Sequence, residues 1–192
     1  DVSLLADLRA IQALWLAGAA FGDHAIAQLA ALGSLREIGL CSTSITERTI
    51  ETLRPARRLE NLYLSDNDIG DFGLANMNRN WPLRVLDLAN TNVSNGGLSY
   101  LAHYDRLTYL SLANTRVSDV GLQHLKTLSS LKRLDLSYTD VTAEGCRELQ
   151  TCLPKCEIYA SIEFNEKEED APVAGTPGDG NLGVSERELK LP

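Results

Sequence analysis

The chain has 192 residues, 44% of them hydrophobic, and a formal net charge of −8, enough apolar material for one well-filled core. From Glu163 onward eight acids face three bases, so −5 of that charge sits at the end of the chain and −3 on residues 1–162. At that net charge no basic footprint for nucleic acid, whose binding depends on clustered Lys and Arg, is expected, and no apolar run reaches the roughly 18 residues a membrane span needs.

The N-terminal segment Asp1-Val2-Ser3 has no basic start of a secretory signal. Val2, Leu5 and Leu8 match the helical half of a unit whose strand is missing. The array is thus expected to begin in mid-repeat, as a fragment of a longer protein or an unusual cap would. Ile11, Leu35, Leu59, Leu83, Leu107 and Leu131 then open six units of 24 residues without insertion. Three residues later stand Leu14, Ile38, Leu62, Leu86, Leu110 and Leu134, and two further on Leu16, Leu40, Leu64, Leu88, Leu112 and Leu136.

The last two positions alternate, which puts them on one face of a short strand. Later in each unit the spacing becomes three, as in Leu122, Leu125 and Leu128, and marks a helix face. Ser94-Asn95 and Ser118-Asp119, with Thr46-Glu47 and Thr142 in register, supply helix caps and acids for the positive end of the dipole. One unit cannot bury both faces, but stacked units do, with parallel strands along one side and helices along the other. Between strand and helix, Ala19, Thr43, Asn67, Thr91, Thr115 and Thr139 form a polar column. Its role is read as structural, satisfying turn N–H and C=O groups inside the stack. Gly73, Gly97, Gly121 and Gly145 recur at one position and indicate tight packing at the helix start.

The third unit is the least regular, with Met77, Asn80, Trp81 and Pro82 where a Leu-rich helix end is expected; Pro82 ends any helix before it. At the far end, Cys156, Ile158, Ala160, Ile162 and Phe164 alternate with Glu157, Tyr159, Ser161 and Glu163, predicting a final strand that covers the last repeat. The domain reading is a repeat array over 1–164 and an acidic, Gly- and Pro-containing tail over 165–192, disordered or docked.

The segments 131–142 (LKRLDLSYTDVT) and 112–122 (LANTRVSDVGL) resemble the leucine-rich-repeat family, in its short bacterial and protist type with Thr in place of the ladder Asn. The ending ELQTCLPKCEI (148–158) is similar to the closing segment of such arrays. The resemblance implies an α/β fold, a right-handed horseshoe solenoid with a concave parallel sheet and convex helices. It also implies protein recognition and carries no catalytic residues.

Cys146 and Cys152 occupy the columns of Leu122 and Leu128, so both are read as small buried thiols facing the core. A Cys152–Cys156 disulfide is the alternative. Zinc would need four N or S ligands, and three cysteines without a nearby His fall short. His24, His103 and His124 are placed on the solvated convex side. No metal or cofactor is expected. Phosphate-loop and nucleophile-elbow motifs are absent from the sequence.

The side chains that alternate with the strand leucines are the candidate site: Trp15, Tyr63, Val85, Asp87, Tyr109, Arg133 and Asp135. Aromatic and Arg side chains dominate binding hot spots, although Tyr on strands also follows β-propensity. Small residues in the next column, such as Ala89 and Ala113, leave the face accessible, and Asp66, Asp68, Asn90 and Asp140 extend it at the strand ends. The leading expectation is a non-catalytic scaffold that binds another protein. A subunit or spacer within a larger assembly is the alternative. A carbohydrate-active enzyme using Asp87 and Asp135 is remote, since two strand spacings, about 10 Å, lie at the outer limit for an inverting pair on an open surface.

Overall fold

The computed structural model describes residues 10–18, 22–27, 33–163 and 186–191. Its repeating element is a three-residue strand, a turn and a short helix. The strands β1 (Ala13–Trp15), β2 (Glu37–Gly39), β3 (Asn61–Tyr63), β4 (Val85–Asp87), β5 (Tyr109–Ser111) and β6 (Arg133–Leu136) pair in sequence order, all parallel, and β7 (Glu157–Glu163) continues the sheet. The register advances by 24 residues at every step, as in Leu62↔Leu86 and Leu86↔Leu110. The unbroken sequence period therefore becomes an unbroken spatial ladder.

The inward strand residues Ile38, Leu62, Leu86, Leu110 and Leu134 are fully buried, as are Leu40, Leu64, Leu88, Leu112 and Leu136. Each contributes roughly 1.5–3 kcal/mol on burial, so stacking replaces what a single unit lacks. At the N-terminal end Leu14 and Leu16 are only partly buried against the core. Val2, Leu5, Leu8 and Ala19 lie outside the described residues.

The helices are α1 (Gly22–Ala27), α2 (Glu47–Leu53), α3 (Asp71–Ala75), α4 (Asn95–Leu98), α5 (Asp119–Leu122) and α6 (Ala143–Cys152). A spacing of three is tighter than the 3.6 of an α-helix. Accordingly α4 and α5 are four residues long, and α4 runs on into a 3₁₀ turn, Ser99–Leu101. The irregular third unit keeps its core: Met77 and Trp81 are both buried, while Asn80 stays exposed.

Helix α6 differs, and with it one expectation fails. Its ten residues are regular α-helix, so the inward positions run Cys146, Leu149 and then Leu153 rather than Cys152. Cys152 is exposed, not buried in the column of Leu128. All four cysteines are free thiols: Cys146 and Cys156 are buried, Cys41 is half-buried. Burial, with Asp119 beside it, pushes the Cys146 thiol up to about 11; burial and Glu157 push Cys156 up to about 11. At pH 8 roughly one part in a thousand of each is thiolate, the reactive form. Ellman's reagent is therefore expected to label Cys152 first in the native protein, Cys41 more slowly, and Cys146 and Cys156 only on unfolding. Rapid native labelling of Cys146 would contradict this packing.

The polar column works as a ladder. Thr43, Thr91, Thr115 and Thr139 each donate their hydroxyl to the carbonyl three residues back, at 2.6 Å. Asn67 bridges two units: its Oδ1 accepts from Thr43 N (3.1 Å) and Ile45 N (3.3 Å), and its Nδ2 donates to Leu40 O (2.7 Å) and Leu64 O (3.0 Å).

A second ladder runs at the helix starts. Asp71 accepts from Ser94 N (2.7 Å) and Ser94 Oγ (2.6 Å) of the next unit, and Asp119 accepts from Thr142 N (2.9 Å) and Oγ1 (2.7 Å). Asp23 binds Thr46 and Thr49 in the same way. Burial raises its carboxyl pKa, but these hydrogen bonds outweigh that and hold it below the ordinary value. The acids after the caps therefore join units as well as complementing their own helix dipoles.

Within the acidic tail, Glu186–Leu191 forms β8, antiparallel to β7 with Tyr159↔Lys190 and Ser161↔Glu188 in register. It covers the edge that β7 would otherwise present to another chain. Phe164 and the remainder of the tail lie outside the described residues.

Candidate functional site

The strand register fixes which outward side chains are neighbours. One row is Glu37–Asn61–Val85–Tyr109–Arg133–Glu157; the other is Trp15–Gly39–Tyr63–Asp87–Ser111–Asp135–Tyr159. Adjacent strands lie about 4.8 Å apart, so a run of five steps separates Trp15 from Asp135 by about 24 Å. The seven candidate residues form one strip with a group at each end, and the two groups meet where Tyr63 pairs with Asp87.

At the N-terminal end, Gly39 has no side chain to hold Trp15 away from Tyr63. The indole lies over the Gly39 backbone, where an added Cβ would fall 2.2 Å from Trp15 Cε3. Its ring reaches Tyr63, two strands away, with centroids 4.6 Å apart and planes tilted by 37°. Such a pair is worth roughly 0.5–1.5 kcal/mol beyond its buried area. Glu37 fixes the arrangement by accepting from Trp15 Nε1 (2.8 Å) and Asn61 Nδ2 (2.7 Å). Trp15 nevertheless stays 53% exposed, a large apolar surface on the open face.

Towards the C-terminal end, Asp87, Tyr109, Arg133 and Asp135 surround the small, buried Ser111. Burial raises the Asp87 carboxyl, reinforced by Asp66 and Asp135 and opposed by hydrogen bonds from Ala89 N–H and Ser65. Burial likewise raises the Tyr109 phenol, with Asp87 and Asp135 adding to it. Tyr63 is raised by burial and by Glu37. Both phenols therefore stay protonated donors through the neutral range. Asp135 accepts from Ser137 N (3.0 Å) and Ser137 Oγ (2.7 Å). Val85 is half-buried between the groups.

Tyr159 belongs with this second group and was not among the sequence candidates. Its ring lies 5.7 Å from the Arg133 guanidinium carbon, and its hydroxyl donates to Glu157 Oε2 at 2.9 Å. The signal was present, since Tyr159 is one 24-residue step beyond Asp135. Tyr138 was missed as well. At the strand-end turn Asp66, Asn90 and Asn114 adopt left-handed backbone, with φ of 58°, 54° and 52°, and link through side-chain amides, as Asn90 to Asp66 (2.9 Å) and Asn114 to Asn90 (2.6 Å). Tyr138 takes the same backbone, φ 57°, while 62% exposed. Tyr pays more than Asn for that conformation, by about 1 kcal/mol, and projects an aromatic ring at the rim. Asp68 is held by Asn92 at 2.6 Å. His24, His103 and His124 are exposed.

An uninterrupted stack of strand–turn–helix units, with one sheet face lined by aromatic and charged side chains, defines an open-faced solenoid. The chain carries leucine-rich repeats: the family model described as Leucine Rich repeat matches residues 58–77, 80–102 and 127–149. Among solved structures it is similar to an internalin, inlF, of Listeria monocytogenes, with 22% identity and a TM-score of 0.62 over 86% of this chain and 52% of that one. It is also similar to internalin C2 of Listeria monocytogenes, with 27% identity and a TM-score of 0.62 over 78% of this chain and 62% of that one. The chain thus spans about half to three-fifths of the internalin structures it matches. A search among curated proteins returns no match. The fold is that of a leucine-rich-repeat horseshoe, and the family points in general terms to a protein-interaction scaffold. No helix among the described residues is long and apolar enough to cross a membrane.

Proposed function

We propose that the array, residues 1–164, is a non-catalytic scaffold that binds another protein across its concave face. The contact residues in this reading are Trp15, Tyr63, Val85, Asp87, Tyr109, Arg133 and Asp135. The observation that carries it is the Trp15–Tyr63 ring pair over Gly39, a preformed aromatic platform left 53% exposed at Trp15. Rings already ordered by Glu37 lose little further freedom on binding, and aromatic anchors ringed by polar side chains are the common form of a hot spot. The small Ala89 and Ala113 alongside leave room for a partner to approach.

Truncation at such anchors typically weakens binding by about tenfold or more. Tyr63→Ala and Tyr109→Ala are each expected to do so towards a partner recovered from the native source, measured by surface plasmon resonance, with melting temperatures near that of the parent. If both variants bind like the parent, the concave face is not the contact surface.

A fixed subunit or spacer within a larger assembly is the second reading. Phe72 and Val120, 64% and 68% exposed on the helical side, favour it as apolar contacts for a neighbouring chain. Weakening by Phe72→Ser and not by Tyr109→Ala would select it.

A further inference from the structure

We propose that the edge of the solenoid where helices return to strands holds a cleft for a small ligand bearing several phosphate groups. The return loops 54–60, 76–84, 102–108, 126–132 and 153–156 carry nine Lys or Arg against two acids, Glu60 and Asp105. Average composition hides this, because the solenoid sorts sequence-distant loops onto one edge while the chain as a whole carries −8. An anion is therefore attracted locally against an opposing overall field.

Between the later units these loops enclose an open cleft of about 730 Å³ lined by Arg84, Arg106, Lys132 and Lys155, with Ser129 and Ser130 as hydroxyl donors. Arg84 is 3.6 Å from Glu60, but Arg106, Lys132 and Lys155 form no ion pair among the described residues. The one carboxylate in the lining, Glu157, is 3.7 Å from Arg133 and accepts the Tyr159 hydroxyl. Thr108 also lines the cleft, with its hydroxyl donated to Arg84 O at 3.0 Å.

Arg106 also borders a second recess of about 250 Å³, shared with Arg79, His103, Asp105 and Trp81. Trp81 is 3% exposed, and its buried Nε1 has no hydrogen-bond acceptor. A buried donor without a partner is costly, but this one is sealed beneath the surface of the recess and takes no part in the proposed site. The Tyr104 hydroxyl there is already used by Asn78 O at 3.2 Å.

Two features favour a ligand with several phosphate groups. The backbones of Arg84 and Lys132 are two strands apart, about 10 Å, so their side chains can serve separate anionic groups. The Arg forks match phosphate oxygens bidentately, and with four cations around one cleft a phosphate group, which carries up to two negative charges, balances more of that charge than a carboxylate does. Single-stranded nucleic acid would need exposed rings for base stacking, and the Trp81 ring is buried in the core.

The probe is tripolyphosphate, titrated calorimetrically into the whole chain at low ionic strength. Saturable binding at one site per chain is expected, weakened at least tenfold by Arg106→Gln, weakened less by Arg106→Lys, and unchanged by Arg116→Gln on the opposite edge. Circular dichroism of each variant checks that it is folded. The same phosphates could belong to a soluble ligand or to a lipid headgroup. Co-sedimentation of the chain with phosphatidylcholine vesicles containing a phosphoinositide bisphosphate assigns them to a headgroup, and failure to co-sediment assigns them to a soluble molecule. The proposal is overturned by absence of saturable heat, by equal weakening in Arg116→Gln, or by a single-stranded oligonucleotide that binds more tightly than tripolyphosphate and gains affinity with length.

Discussion

Asn67→Ala is expected to lower the free energy of unfolding by about 3 kcal/mol or more, since each buried polar group left unpaired costs roughly 1–3 kcal/mol. Asn67 is 7% exposed and meets Thr43 N, Ile45 N, Leu40 O and Leu64 O. Removing its amide strips partners from two N–H groups and from Leu64 O at the junction of two units, while Leu40 O keeps the Thr43 hydroxyl. Asn67→Thr restores the short bond to Leu64 O that Thr91 and Thr115 make to their own strands, but not the bonds to the preceding unit. Urea unfolding should therefore rank parent, then Thr, then Ala. A Thr variant as stable as the parent would show that the inter-unit bonds contribute nothing.

Gly145→Ala is expected to cost about 1–3 kcal/mol, the range for overpacking a well-filled site. The added Cβ would lie 2.0 Å from Asp119 Oδ1 and 2.4 Å from its Cγ. That carboxylate cannot simply swing away, because Thr142 N and Thr142 Oγ1 hold it, and Thr142 caps α6 through Gly145 N. Displacing it also loosens the cap, an effect of order 1 kcal/mol. Gly33→Ala, where a Cβ meets nothing within 4 Å, is the control and should be near neutral. Adding Asp119→Ala to Gly145→Ala should cost no more than Asp119→Ala alone, because the clash disappears with the carboxylate. Additive losses would mean that Gly145 matters for some reason other than contact with Asp119.

The inter-unit role of Asp119 also marks where legibility in the sequence ended. Ser118-Asp119 reads locally as a cap and a dipole partner, because both relations are short-range. That the carboxylate serves Thr142, 23 residues on, depends on how one helix start sits over the next. Cys152 shows the same limit: its column matches Leu128, but one extra stretch of regular helix in α6 advanced the inward position to Leu153. For the candidate face the row assignments followed directly from the period, so Tyr159 was available one step beyond Asp135. The Trp15–Tyr63 pair was less accessible, since the two residues are 48 positions apart and meet only because Gly39 between them has no side chain.

The sequence by itself determined the repeat length, the strand and helix halves of each unit, the buried leucine columns and the polar column, because each arises from a period read within one unit or from one to the next. The tertiary structure alone decided which side chains touch across units. It placed Trp15 over Gly39, latched Asp119 to Thr142 and covered the edge of β7 with Glu186–Leu191. It also gathered Arg84, Arg106, Lys132 and Lys155 around one cleft on a chain of net charge −8. Periodicity fixes the direction in which a side chain leaves the backbone; its contacts depend on the size and reach of neighbours 24 or 48 residues away, which only stacking brings within a few ångströms.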